Sequence, residues 1–163
     1  LRPRGMGSRL FDGEGLGVET RKMIDNGVLT SWFLDLASAG KLEMTPTGHA
    51  RRGIGSAPSP GASNFFLENG NCSREDLIAN IKEGFLVTEM IGSSVDLITG
   101  AYSRGAGGFW ISNGQITHPI SEATIAGNLK DIFMQMTAAN DIDLRASIAA
   151  PSLQIDTMMV AGS

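Results

Sequence analysis

The sequence predicts an α+β fold of mainly antiparallel strands, arranged as a barrel-like or sandwich sheet, with two or three helices inserted. Three observations carry that expectation. Asn-Gly pairs at Asn26-Gly27 and Asn113-Gly114 each separate two apolar runs. Such pairs suit the tight turns of two-residue hairpins, because both central residues need positive φ. Glycine reaches 21 of 163 residues, well above the roughly 7% that is usual, and is spread through turn-like contexts rather than repeated. Only a few segments carry helical spacing with a recognisable start.

Residues 1–18 are punctuated by Gly5, Gly7, Gly13, Gly15 and Gly17 and read as an extended arm or loop. A strand from Arg21 to Ile24, the Asn26-Gly27 turn and a second strand from Val28 to Leu34 form the first expected hairpin. Asp35 caps a short helix running to Leu42, which Gly40 weakens. Thr45–Gly61, with Pro46, Pro58 and Pro60, reads as a long irregular loop.

The central stretch, Ser63–Pro119, organises the rest. Phe65-Phe66 is a short apolar strand. Ser73 and Asp76 have the spacing of a capping box, and Leu77, Ile78, Ile81 and Phe85 share a helical face that Gly84 ends. Phe85–Met90 and Ser94–Thr99 are the next two strands. Tyr102–Gly108 must turn or bulge, since four of its last five residues are small. Phe109–Ile111 and Gln115–His118 flank the second Asn-Gly turn, and Glu122–Ala126 adds a strand. Asn128 then caps a helix whose Leu129, Ile132, Phe133 and Met136 share a face. The alternation of Leu153, Ile155, Thr157 and Met159 closes the domain with a strand. The expectation is one domain over residues 1–163.

Composition excludes several classes of function. The net charge of −4 and the lack of a basic run longer than Arg51-Arg52 argue against nucleic acid. No apolar run reaches the roughly 18 residues of a helical membrane span. The single cysteine, Cys72, allows no internal disulfide and fits a reducing compartment.

Chemistry-bearing patterns are equally sparse. His49 and His118 have no second histidine at helical ligand spacing, so both read as ordinary surface or loop histidines rather than metal ligands. Cys72 precedes a helix start, which favours a thiolate, but no base lies adjacent in sequence, and it reads as a small turn residue. Gly105-Ala106-Gly107-Gly108 lacks the Gly-Lys-Ser/Thr of a phosphate loop and leads into a strand. Asp141 and Asp143 read as a solvated turn rather than a calcium loop. Met134, Met136, Met158 and Met159 read as core and edge packing. No serine sits in a nucleophile elbow. The expectation is no catalytic residue and no metal ligand in this chain.

Several segments together resemble a known family. They include Gly7-Ser8-Arg9-Leu10-Phe11-Asp12-Gly13-Glu14-Gly15, Asn26-Gly27-Val28-Leu29, Thr45-Pro46-Thr47-Gly48 and Ser63-Asn64-Phe65-Phe66-Leu67-Glu68. Ser73-Arg74-Glu75-Asp76-Leu77-Ile78, Val95–Gly100, Tyr102-Ser103-Arg104-Gly105-Ala106, Phe109-Trp110-Ile111, Thr124–Leu129 and Asp141–Arg145 continue the series in order. The chain resembles the C-terminal domain of the TldD/PmbA family, nearest its PmbA (TldE) branch. The resemblance implies a fragment lacking an N-terminal domain.

It also implies a cytoplasmic bacterial metalloprotease system, a TldD–PmbA heterodimer acting on unfolded peptides, linked to microcin maturation and antitoxin turnover and also labelled a modulator of DNA gyrase. In the TldD branch a His-Glu-x-x-x-His helix and a cysteine in a Gly-x-Cys-Gly context bind the metal. This chain has no such helix, and no cysteine between Asp143 and Leu153. The implied role is the non-catalytic subunit, with zinc in a TldD-type partner and no cofactor here. Peptide- or partner-binding candidates are Ser63, Asn64, Phe65, Tyr102, Ser103 and Arg104. Two alternatives stand beside it: an active metallopeptidase with upstream ligands, and a stand-alone peptide-binding module. A homodimer is the alternative assembly.

Overall fold

The structure is a computed structural model that describes residues 4–162. Along the chain run β1 (Ile24–Asp25), β2 (Val28–Leu29), α1 (Leu36–Lys41), β3 (Ala50–Arg51), β4 (Ser59–Pro60) and β5 (Phe65–Phe66). Next come α2 (Arg74–Ala79), β6 (Glu83–Val95), β7 (Ala101–Ser112), β8 (Gln115–Asn128) and α3 (Leu129–Met134). β9 (Met136–Ala138), β10 (Ile148–Ala149), β11 (Leu153–Ile155) and β12 (Met159–Ala161) complete the chain. The class is α+β with largely antiparallel pairing, as expected, although β10 pairs in parallel with β5. Among the described residues no helix is long and apolar enough to cross a membrane.

The chain divides into two compact units: residues up to Leu67 with Asp143–Ala149, and Glu68–Ile142 with the residues from Ala150 onward. In the first unit β1 and β2 are joined by Asn26 and Gly27 at φ 49° and 80°, the left-handed pair that a type I′ turn demands. The hairpin is shorter than its apolar run. Leu34 N–H donates to Thr47 Oγ1 at 2.9 Å, so the chain beyond Thr30 is tied to a loop instead of a strand. Asp35 caps α1 by accepting from Ser38 N–H at 2.7 Å, and Lys41 lies in the last turn, at the negative end of the dipole. The expected irregular loop 45–61 holds a two-residue ladder, with Ala50 opposite Pro60 and Arg51 opposite Ser59. Proline is tolerated there because a two-stranded ladder is all edge. Leu34, Ala39 and Ala50 are buried at its core.

The second unit is built on a four-stranded sheet in the order β12-β8-β7-β6. Ser73 Oγ accepts from Asp76 N–H at 3.0 Å and Asp76 Oδ2 accepts from Ser73 N–H at 3.1 Å, completing the box that opens α2. The helix stops at Ala79, earlier than Gly84. Asn80 Nδ2 donates to Asp76 O at 2.9 Å and takes up a carbonyl of the last turn. Ile81 and Phe85 therefore lie outside the helix, and Phe85 pairs with Trp110 across the sheet.

The two strands expected over 85–99 are one, β6, with irregularities at Val87/Glu89 and Ile91/Ser94. It ends at Val95 because Asp96 Oδ1 accepts from the N–H groups of Ile98 and Thr99, at 2.8 and 3.2 Å, which folds the chain into a turn. Gly107 and Gly108 sit where β6 bulges toward β7, and they do so within a continuous strand. A Cβ on Gly108 would collide with the carbonyl oxygen of Leu86.

Asn113 and Gly114, at φ 49° and 76°, make the second type I′ turn. β8 then runs through Pro119, which pairs with Phe109 along a length that β12 does not cover. Asn128 Oδ1 accepts from Lys130 N–H at 3.0 Å to open α3, which ends at Met134, so Met136 is a strand residue. The single closing strand is two, β11 against β9 and β12 against β8. Ala106, Ile111, Ala123 and Ile125 are buried in the sheet. Met134 and Met159, expected in the packing, are exposed.

Candidate functional site

The six residues singled out from sequence fall into two groups of different character. In the first unit, Asn64 braces the N-terminal arm. Its Oδ1 accepts from Gly7 N–H at 3.0 Å and its Nδ2 donates to Ser8 Oγ at 2.7 Å. The Ser63 carbonyl lies so close to Gly7 that a Cβ there would approach it to 2.6 Å. Phe65 N–H donates to Ser147 O at 2.8 Å within the β5/β10 pair, and its ring meets Phe33 edge-on, 5.4 Å between centroids. These three hold chain together, and Asn64 already has partners for both polar atoms.

Tyr102, Ser103 and Arg104 lie side by side in β7. Tyr102 stands between Val95 of β6 and Gly127 of β8, and Ser103 between Ser94 and Ala126. Tyr102 OH donates to Met90 Sδ at 3.6 Å. Arg104 pairs with Ile125, and its Nε is buried with no hydrogen-bond partner among the described residues. Alternation along the strand puts Tyr102 and Arg104 on one face and Ser103 on the other. β7 is interior to the sheet; β6 is the edge, paired among the described residues only on its β7 side. Met90 and Ile91 on that edge strand are exposed.

The first unit also gathers a polar cluster that the sequence does not announce. Asp12 is buried and accepts three backbone N–H bonds, from Ala50 at 3.0 Å, Glu14 at 2.9 Å and Leu16 at 3.0 Å. Burial pushes its carboxyl up, but these bonds and the Arg9 charge outweigh it and hold the pKa below the ordinary value. His49, expected at the surface, is 7% exposed. Its ring packs on Phe33 at 5.0 Å, and its Nδ1 lies 3.0 Å from Thr47 Oγ1. Thr47 Oγ1 has Trp32 O at 3.0 Å as its own acceptor, so Nδ1–H donates to Thr47 and Nε2 carries the lone pair. Desolvation, together with the charges of Arg21 and Arg9, pushes the His49 pKa down against an opposing pull from Thr47 and Asp12, which favours the neutral ring. The available signal was the Arg9–Asp12 spacing in a glycine-rich arm; the burial of His49 depends on Phe33 and has no local signature.

A hydrolytic metal does not fit these residues. His49 is held by Thr47, His118 Nδ1 lies 3.2 Å from Thr117 Oγ1, and Cys72 Sγ lies 3.8 Å from Ala138 O. Asp141 accepts from the N–H and Oγ of Ser152, both at 2.7 Å, while Asp143 is paired with Arg145. Among the described residues no three His, Cys, Asp or Glu side chains converge to hold an ion.

Comparison with known proteins gives a consistent picture. The sequence profile of the PmbA/TldA metallopeptidase C-terminal domain matches residues 1–162. The Metalloprotease PmbA of Escherichia coli O157:H7 is 42% identical over 160 residues, covering 98% of this chain and 34% of that protein. A Metalloprotease TldD homolog of Haemophilus influenzae is 26% identical over 174 residues, covering 96% of this chain and 36% of the relative. A crystal structure of a proposed modulator of DNA gyrase from Bacteroides thetaiotaomicron superposes with a TM-score of 0.84 at 34% identity, over 98% of this chain and 34% of that one. TldE from Thermococcus kodakarensis gives a TM-score of 0.84 at 25% identity, over 94% and 36%. The chain thus spans about a third of the length of the curated relatives it matches.

Proposed function

Since the chain belongs to the PmbA/TldD metallopeptidase family, as its C-terminal domain, we propose that it works as the non-catalytic, PmbA-like side of a TldD–PmbA-type protease in the bacterial cytoplasm. In this reading a TldD-type subunit carries the zinc ion, and this chain receives unfolded peptide, as in microcin maturation or antitoxin turnover. The observation that carries it is the free edge of β6. Thirteen residues long and paired, among the described residues, only with β7, it leaves backbone donors and acceptors that an extended peptide satisfies as an added strand. Main-chain bonding of that kind is tolerant of peptide sequence.

A second reading, an active metallopeptidase whose ligands come from further sequence, is favoured by the names of the relatives, which are metalloproteases. The two are separated by mixing this chain with a TldD-type subunit. Co-elution and faster cleavage of an unfolded peptide are expected. No co-elution with unchanged cleavage contradicts the proposal, and stoichiometric zinc in a longer form of this chain supports the second reading.

A further inference from the structure

Arg9 is half-buried, and its Nε and Nη2 are shut off from solvent with no hydrogen-bond acceptor among the described residues. Those two nitrogens share one edge of the guanidinium, the edge whose parallel N–H bonds match the two oxygens of a carboxylate. Hiding two donors of a charged group without an acceptor is costly, and native structures seldom leave such groups unanswered. A planar, two-oxygen anion would answer both donors at once.

Asp12 is too thoroughly engaged by backbone N–H groups to turn toward Arg9, yet its charge offsets that of the guanidinium. Arg21, the other cation acting on His49, has Glu19 Oε2 at 3.9 Å. The cluster is therefore close to neutral, with a neutral imidazole whose Nε2 lone pair is unassigned.

We propose that Arg9 forms a receptor for a carboxylate, either the C-terminus of a peptide or an acidic side chain of another polypeptide. The site lies wholly in the first unit and depends neither on the β6 edge nor on a partner subunit.

The test follows the Nε–Hε resonance of Arg9 in the whole chain by NMR. The probes are acetyl-trialanine with a free C-terminal carboxylate, the same peptide as its amide, and an amidated acetyl-Ala-Glu-Ala. A saturable shift with the free acid and none with the neutral amide is expected; a shift with the glutamate peptide identifies a side-chain carboxylate as the source instead or as well. Arg9→Lys keeps the charge and removes the fork, and at least a tenfold weakening is expected, read on the His49 ring. Silence toward both carboxylate peptides overturns the proposal, as does an equal response to the neutral amide or undiminished binding by Arg9→Lys. If that variant does not fold, the wild-type titration decides alone. Resonances of β6 followed in the same samples report the edge separately, so loss of one site is distinguishable from loss of the other.

Discussion

Asp12 Oδ2 accepts the backbone N–H of Ala50 at 3.0 Å, joining the glycine-rich arm to a strand 38 residues further on. Its other oxygen closes the arm on itself through Glu14 and Leu16. One carboxylate thus organises both the arm that carries Arg9 and the strand that follows His49.

Asp12→Ala leaves buried N–H groups unanswered and is expected to cost about 3 kcal/mol, the range for hydrogen bonds to a buried charge. Urea unfolding checks it. Because the folded pKa of Asp12 is depressed, its contribution is present above the unfolded value of 3.8 and is lost as pH falls through the folded value. In Asp12→Ala that part of the acid dependence disappears.

His49 works in the opposite chemical sense and the same pH direction. Its folded pKa lies below 6.5, so the unfolded chain binds the proton more readily. Stability is full above about pH 6.5 and declines as pH falls from there toward the depressed folded value. Urea midpoints measured from about pH 7.5 to about pH 5.5 should show the decline, and His49→Phe, which keeps a ring against Phe33, should flatten it.

Gly108→Ala places a Cβ against the Leu86 carbonyl, backbone that has no rotamer with which to yield. A loss of about 2–3 kcal/mol is expected, with β6 and β7 affected first, as amide exchange would show. An unchanged thermal midpoint would mean that the two strands separate there without cost.

Ser73→Ala removes the acceptor for Asp76 N–H and half of the capping box. The expected loss is about 1 kcal/mol, and Ser73→Asp, which restores an acceptor, recovers most of it. Chemical denaturation of the two variants side by side is sufficient.

The features legible in the sequence are those whose cause is local. Asn26-Gly27 and Asn113-Gly114 specify their turns by backbone preference, and Ser73, Asp35 and Asn128 specify helix starts through their own side chains. What escaped depends on distant partners. β3 and β4 exist because Ala50 meets Pro60, and β5 because Phe65 meets Ile148; two-residue ladders leave no alternation to read. Helix ends were overrun because Asn80 and Gln135 end helices that apolar spacing alone would continue. The sequence divides β6 in two because Gly92, at φ 70°, lies in the irregularity between Ile91 and Ser94 and has the character of a turn residue. Within the candidate site, Tyr102, Ser103 and Arg104 share one strand, whereas Asn64 proved to be a brace, and the orphaned edge of Arg9 is visible only once its neighbours are in place.

The most direct measurement is a titration of the chain, alone, with an unfolded peptide, following backbone amides by NMR and peptide integrity by mass spectrometry. The expected result is that amides of Glu83–Val95 shift and become protected while the peptide stays whole. A peptide cut by this chain by itself, or bound with the β6 amides unmoved, would contradict the account.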